Sequence, residues 1–465
     1  MDIISAINNE KLFKPIFKDI ETWSSWIVLL KALFALKMSK PERILYQQCT
    51  GRQKSPKKPF REAVCICGRR SGKSFMASVI ACFLALFFDY RQYLGPGERA
   101  SIVIIAADRS QTRTIFNYIS GILHSNEVFE NCIETELKER ISLNNRIDIE
   151  ILTASHRTVR GRTIAAVLLD EAAFFYQEGA RPDTEIYRAL KPSTATIPSS
   201  LVLIISSPYA QTGLLYEMHK RFFGVDDPET MVWVADTLTM NPTLDKKIIE
   251  RAVDTDPEAA ESEWYARFRR DIAAFLSIEV IEACTVPGRY ELPPLSDHHY
   301  RAFVDSAGGG GTDWMTLAIG HKDGEKMILD CIRAVPPPFD PFVVTEDFVK
   351  VLREYRCNSV EGDKYAGDWP STAFGQHGIR YVPSTKTKSE IYLAAEPLFS
   401  RGQVELLDHK QLFDQLRNLE RRTRRAGRDL VDHPLRGHDD VANSVCGALV
   451  NLGGSDGFFG GCDLG

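Results

Sequence analysis

The chain has 465 residues, 44% hydrophobic and 26% charged, with a formal net charge of −5. That length exceeds what one hydrophobic core serves, so two main domains with linking pieces are expected. The ordinary balance excludes a disordered chain, and the mild acidity excludes nucleic-acid binding through overall basic charge, leaving only local basic patches for such a role. Ten cysteines are scattered without zinc-ligand spacing; Cys65 and Cys67 lie on an apolar run and read as reduced, buried thiols of a cytosolic protein.

Residues 1–60 read as amphipathic helix, with Trp23, Trp26, Leu29, Leu30 and Phe34 as its apolar positions, followed by the Lys/Pro-rich link RQKSPKKPFR (52–61). Strands then alternate with helices: AVCIC (63–67), a helix over 73–89, SIVIIAA (101–107) and a helix over 110–123. IDIEILT (147–153), AAVLLD (165–170) and SLVLIISS (200–207) follow. Continuous apolar runs of this length predict a mostly parallel sheet covered on both faces. The apolar run Met76–Phe88 is too short to span a bilayer, and no membrane association is expected. Asp2 and Glu10 stand where a secretory leader would carry basic residues.

GRRSGKS (68–74) sits between an apolar strand and a helix, the context in which such a loop cradles phosphates. Gly68 and Gly72 let backbone N–H groups close on the anion, with Arg69, Arg70 and Ser71 completing the loop. Lys73 reaches the terminal phosphates, and the Ser74 hydroxyl is a Mg²⁺ ligand. Cys67 stands where the full eight-residue pattern has glycine. VLLDEAAF (167–174) is a strand ending in Asp170, suited to the Mg²⁺ shell, and Glu171, placed to polarise the attacking water. ATP hydrolysis is the expected chemistry. Ser206 and Ser207 end a strand and are candidates for sensing the γ-phosphate; Arg157, Arg160 and Arg162 are candidates for an arginine finger.

Beyond a helical stretch and the proline-rich VPGRYELPPLSDHH (286–299), a second α/β pattern begins. RAFVD (301–305), WMTLAIGH (314–321) and KMILDCIRAV (326–335) predict an antiparallel meander. A helix over 341–355, the strand NSVEGD (358–363) and helices near 390–400 and 410–422 follow. Asp305 and Asp363 end strands, and Asp439 and Asp440 open a helix of small residues. Three carboxylates so gathered suit two Mg²⁺ or Mn²⁺ ions that cleave a phosphodiester. Helical spacing favours Asp440 over Asp439, because it shares a face with Asn443 and Ser444. The arginine-rich ERRTRRAGRD (420–429) precedes the last carboxylates and is a candidate DNA-backbone contact.

GRRSGKS, VLLDEAAF and IISSPY, followed by spaced aspartates in an RNase H-like strand order, resemble the large terminase subunits of tailed bacteriophages. RILYQQCTGR (43–52), MNPTL (240–244), VDSAGGGGTDW (304–314) and HDDVAN (438–443) extend the resemblance from about residue 40 to 450. It implies an α/β chain with an N-terminal P-loop ATPase domain (61–240) behind a helical lead-in (1–60). A helical subdomain and linker (241–295), an RNase H-like nuclease domain (296–450) and a glycine-rich tail (451–465) would follow. The implied function is ATP-driven translocation of double-stranded viral DNA into a procapsid, with endonucleolytic cleavage, in the cytoplasm of an infected bacterium. The implied partners are a small terminase subunit and the portal, with self-assembly into a ring. By position, Ser206 and Ser207 would be the coupling motif, and Gln47 or Gln48, with Gln48 preferred, would contact adenine. The competing expectation is a helicase or translocase whose RNase H-like domain binds DNA without cutting it.

Overall fold

The computed structural model describes residues 1–106, 109–153, 162–175, 182–269, 271–363, 368–423, 429–434 and 437–453. The chain forms two compact units: the first spans 1–270 apart from 178–180, and the second begins in earnest at Asp271.

The first unit is built on eight strands: β1 (Glu62–Cys67), β2 (Ala100–Ala106), β3 (Ile133–Leu137), β4 (Arg140–Leu143), β5 (Ile147–Thr153), β6 (Ile164–Asp170), β7 (Leu201–Ser206) and β8 (Thr230–Ala235). Their order is β3-β4-β5-β2-β6-β7-β1-β8. β1 pairs in parallel with β7 and β8, β2 with β5 and β6, and β6 with β7. β1, β2, β6 and β7 are buried along their whole length, which is why they read as unbroken apolar runs. Alternate residues still serve different faces. Ala63, Cys65 and Cys67 join a core that includes the helix Lys73–Phe87 and the N-terminal helix Ser24–Leu33. Val64 and Ile66 join another that includes Leu214 and Met218 of the helix Gly213–Phe222. Trp26, fully buried, places the N-terminal helical region within the same core as the sheet. The edge strand β8 and the antiparallel hairpin β3–β4 went unpredicted; β3 is almost wholly exposed and its IETEL sequence carries no core signal, whereas β8 is mostly buried. No described helix is long and apolar enough to cross a membrane.

In the second unit, β9 (Ile272–Ala274) precedes β10 (Tyr300–Asp305), β11 (Met315–Asp323), β12 (Lys326–Val335), β13 (Ser359–Gly362), β14 (Arg380–Pro383) and β15 (Val404–Glu405). The main sheet runs β14-β13-β10-β11-β12-β15. β10, β11 and β12 form the antiparallel meander, while β13 is parallel to both β10 and β14. Numbered from β10, without the short edge strand β15, this is the 5-4-1-2-3 order of an RNase H-like fold. The helix Asp440–Gly453 packs on one face with the helix Lys388–Ser400, and the helix Pro341–Glu354 packs on the other.

One predicted helix is shorter than expected. It spans Lys410–Asn418; Leu419 turns extended, and Glu420–Arg422 becomes β16, which pairs with β17 (Leu430–Asp432) and β9. Ion pairs from Arg421 to Glu396 and Asp429 hold this small sheet, so part of the arginine run is structural.

Close packing of the C-terminal helix on β10 depends on Gly447, where a Cβ would lie 2.4 Å from Cγ of Phe303. Gly447→Ala is expected to destabilise the second unit by about 1–3 kcal/mol through overpacking. A urea midpoint unchanged from wild type would show that the helix can slide to accommodate the methyl.

Candidate nucleotide site and carboxylate centre

The loop after β1 is shaped before any ligand enters. Arg70 has φ 60° and Gly72 φ 88°, both left-handed, and a Cβ at Gly72 would come within 2.7 Å of the Trp23 ring. The Trp26 indole donates to the Ser71 carbonyl at 2.7 Å. The Thr237 hydroxyl donates to the Arg69 carbonyl at 2.9 Å, and the Asn241 amide to the Arg70 carbonyl at 2.8 Å. Asn241, within MNPTL, is a brace on the strained turn of this loop.

Lys73 opens the helix and is buried. Its ammonium donates to the Cys67 and Gly68 carbonyls at 3.1 Å each and to the Ser207 hydroxyl at 3.0 Å, with Glu171 Oε1 at 3.8 Å. The Ser74 hydroxyl lies 3.4 Å from Asp170 Oδ2. Asp170 is pushed up to about 7, first by burial and then by the charge of Glu171. Glu171 itself sits in left-handed backbone at φ 52°, unusual for a glutamate. Its Oε2 accepts from the Ser206 hydroxyl at 3.2 Å and from the Ser207 amide at 3.3 Å. Glu171, Ser206, Ser207 and Lys73 therefore form one polar chain linking the ends of β6, β7 and the loop.

Two buried polar atoms here have no hydrogen-bond partner among the described residues: Ser71 Oγ and Asp170 Oδ1. Orphans at such a point fit a ligand that brings its own polar atoms, as a magnesium-bound nucleotide does. Gln47 and Gln48 are exposed in the last turn of the helix Lys40–Thr50, where Gln47 donates to the Gln53 carbonyl. Arg162 is paired with Glu150. Arg157 and Arg160 lie outside the described residues, as do Arg424, Arg425 and Arg428 of the basic run.

In the second unit, Asp305, Asp363, Asp439 and Asp440 line one cavity of about 410 Å³, together with Lys388 and His438. Strand polarity explains the gathering: Asp305 ends β10, and Asp363 follows the end of the neighbouring parallel strand β13. Burial raises Asp305 to about 7, with the charges of Asp440 and Asp439 adding to the effect and Lys388 opposing it. Asp440 is raised to about 6, again mainly by burial, while the Trp314 amide donates to its Oδ2 at 3.2 Å. Asn443 donates to Asp305 Oδ2 at 2.7 Å and so orients that carboxylate.

Asp439 is differently employed. Both its oxygens are engaged, one by the Lys388 ammonium and the other by the Tyr392 hydroxyl at 2.7 Å, and it is 1% exposed. Lys388 was not foreseen, because a lysine in the first turn of a helix reads as a solvated charge. Burial works against its proton, yet Asp439 and Asp305 hold its pKa above the ordinary lysine value. Among the described residues no three His, Cys, Asp or Glu side chains are drawn tightly enough around one point to hold a metal ion. The expected set thus shares a cavity without forming a single ligand cluster.

Fold and sites together define an α/β chain with an N-terminal P-loop domain followed by an RNase H-like domain. The chain belongs to the family described as "Uncharacterized protein MJ0330, N-terminal P-loop domain", whose model matches residues 3–266. No curated protein matches it. Among solved structures, it is similar to the large terminase of bacteriophage HK97 at 15% identity, over 97% of this chain and 98% of that one, with a TM-score of 0.42. The large terminase of a thermophilic bacteriophage matches at 11% identity over 91% and 98% of the two chains, TM-score 0.39. The large terminase nuclease from the thermophilic phage G20c matches at 19% identity over 38% and 96%, TM-score 0.33.

Proposed function

We propose that the chain is a DNA-packaging motor of the large-terminase type, an ATPase joined to a metal-dependent DNA endonuclease. The observation that carries this reading is the polar chain from Lys73 through Ser207 and Ser206 to Glu171. It ties the phosphate lysine and the water-polarising carboxylate to the end of a strand that can respond to hydrolysis. Lys73 and Ser74 would hold the phosphates and Mg²⁺ with Asp170, while Arg69, Arg70 and the loop amides would cradle the anion. Glu171 would take the proton of the attacking water.

In the second unit, Asp305, Asp363 and Asp440 would each lend a hard carboxylate oxygen to Mg²⁺ or Mn²⁺, ions that one or two carboxylates and water suffice to hold, so that three ligands at one point are not required. Such ions, when bound, supply an activated water and neutralise the leaving oxygen. Asp439 would anchor Lys388, whose ammonium lies among these carboxylates. Double-stranded DNA, a small terminase subunit, the portal and a ring of copies are the partners this function requires.

Assay of ATP hydrolysis and plasmid cleavage in Mg²⁺, Mn²⁺ and EDTA tests the whole reading. Hydrolysis with metal-dependent linearisation is expected. Hydrolysis without cleavage in either metal would replace it with a translocase whose second domain only binds DNA.

The raised Asp170 gives a pH signature. Its carboxylate must be ionised to ligate Mg²⁺, and ionisation is completed only as pH rises through about 7. Calorimetry is expected to show Mg·ADP binding tightening by roughly tenfold between pH 6 and pH 8. Asp170→Asn should flatten that dependence; an equal slope in the variant would assign it to another group.

A further inference from the structure

A second cavity in the same RNase H-like unit, of about 620 Å³, lies away from the carboxylates. Its lining includes Tyr300 and Arg301 at the start of β10, Ser359 at the start of β13 and Arg380 at the start of β14. These strands run parallel, so the cavity opens at the end of the strands opposite to Asp305 and Asp363, about 17 Å along β10. Arg356, His298 and His299 complete the basic lining, and Glu361 is its one acidic residue.

Two of these cations are presented rather than consumed, while His298 is paired with Asp297 at 2.9 Å. Arg301 and Arg356 are exposed, and among the described residues neither has an ion-pair partner; the Arg356 guanidinium donates to the Ser296 carbonyl at 3.2 Å. Arg356 is also held in left-handed backbone, φ 56°, at the turn after the helix Pro341–Glu354. His298 stacks on Tyr300 with ring centroids 6.4 Å apart and planes at 28°. Tyr300 is fixed in turn by accepting from the Leu295 amide at 2.8 Å. A concave site of this size, with guanidinium forks on its wall and a stacked aromatic floor, matches the chemistry of phosphate recognition. On a protein of net charge −5, a local excess of this kind is the footprint expected for a polyanion.

We propose that this cavity is a phosphate-binding site that engages the backbone of duplex DNA, separate from the carboxylate centre. It does not depend on the second unit being a nuclease, since the chemistry invoked is electrostatic.

The test is arginine labelling with phenylglyoxal on the full chain in EDTA, mapped by mass spectrometry, with a 20-base-pair duplex, tripolyphosphate or ADP as the probe. Protection of Arg301 and Arg356 by the duplex is expected. Protection by tripolyphosphate or ADP but not by duplex would overturn the DNA assignment in favour of a soluble phosphate ligand. Protection by none would overturn the site. In parallel, Arg301→Gln/Arg356→Gln, with an unchanged circular dichroism spectrum, should reduce the slope of log affinity for duplex against log salt by about two. An unchanged slope would overturn the proposal even if cleavage and ATPase activity are both intact. Because EDTA silences metal-dependent cleavage, failure here is distinguishable from failure of the nuclease reading.

Discussion

Glu171→Gln is expected to lower ATP turnover by roughly 10³-fold, the scale of a lost general base, while nucleotide binding persists. The substitution keeps the shape of the side chain and one carbonyl oxygen, so the Ser206 hydroxyl and the Ser207 amide retain an acceptor. What disappears is the negative charge that stands 3.8 Å from the Lys73 ammonium and beside the Asp170 carboxyl. With that charge gone, Asp170 loses a neighbour that helps hold its proton, so Mg·ADP should bind as tightly as in wild type or more tightly. Steady-state hydrolysis and calorimetry on the same preparation separate the two effects. Loss of binding together with turnover would mean that Glu171 shapes the pocket instead of acting on water. Plasmid cleavage in Mn²⁺ without ATP is expected to be unaffected, because the carboxylate centre belongs to the other unit.

Asp305→Asn carries the second large effect: metal-dependent plasmid cleavage should fall below detection while ATP hydrolysis continues. The same variant makes a thermodynamic prediction whose sign is fixed by the raised carboxylate. A group that holds its proton to about 7 when folded, but ionises near the ordinary carboxylate value when unfolded, favours the folded state at low pH. That contribution is present below about 4 and is lost as pH rises through 7. Removing the carboxylate removes the loss. Asp305→Asn is therefore expected to raise the melting temperature of the second unit by about 2–4 °C at pH 8 in EDTA, and to leave it unchanged near pH 4. A lower melting temperature at pH 8 would show that the hydrogen bond from Asn443 to the carboxylate outweighs the cost of its burial.

Local chemistry with a short reach was legible in the sequence. GRRSGKS needs only its neighbours to form a phosphate loop, since a strand before it and a helix after it are set by contiguous residues. Buried parallel strands such as β2 and β6 announce themselves because both faces must be apolar. Strand ends could be placed to within a residue or two, which put Asp170, Asp305 and Asp363 where strands stop. The exposed strand β3 gave no such signal, because no core dictates its composition.

Tertiary structure alone decided which polar side chains meet. Nothing local in the sequence draws Lys388 to Asp439 across 51 positions, or Asn443 to Asp305 across 138. Those pairs exist because two helices pack on one face of the second sheet and leave their first turns beside the end of β10. Likewise Trp26 and Asn241, far apart along the chain, brace the phosphate loop from two sides only once the first unit has closed. Burial then does what no motif can state: it removes water from Asp170, Asp305 and Asp440 and so raises the pKa of each. The residue types were written in the sequence, while their partners and their protonation were fixed by the packing that brought them together.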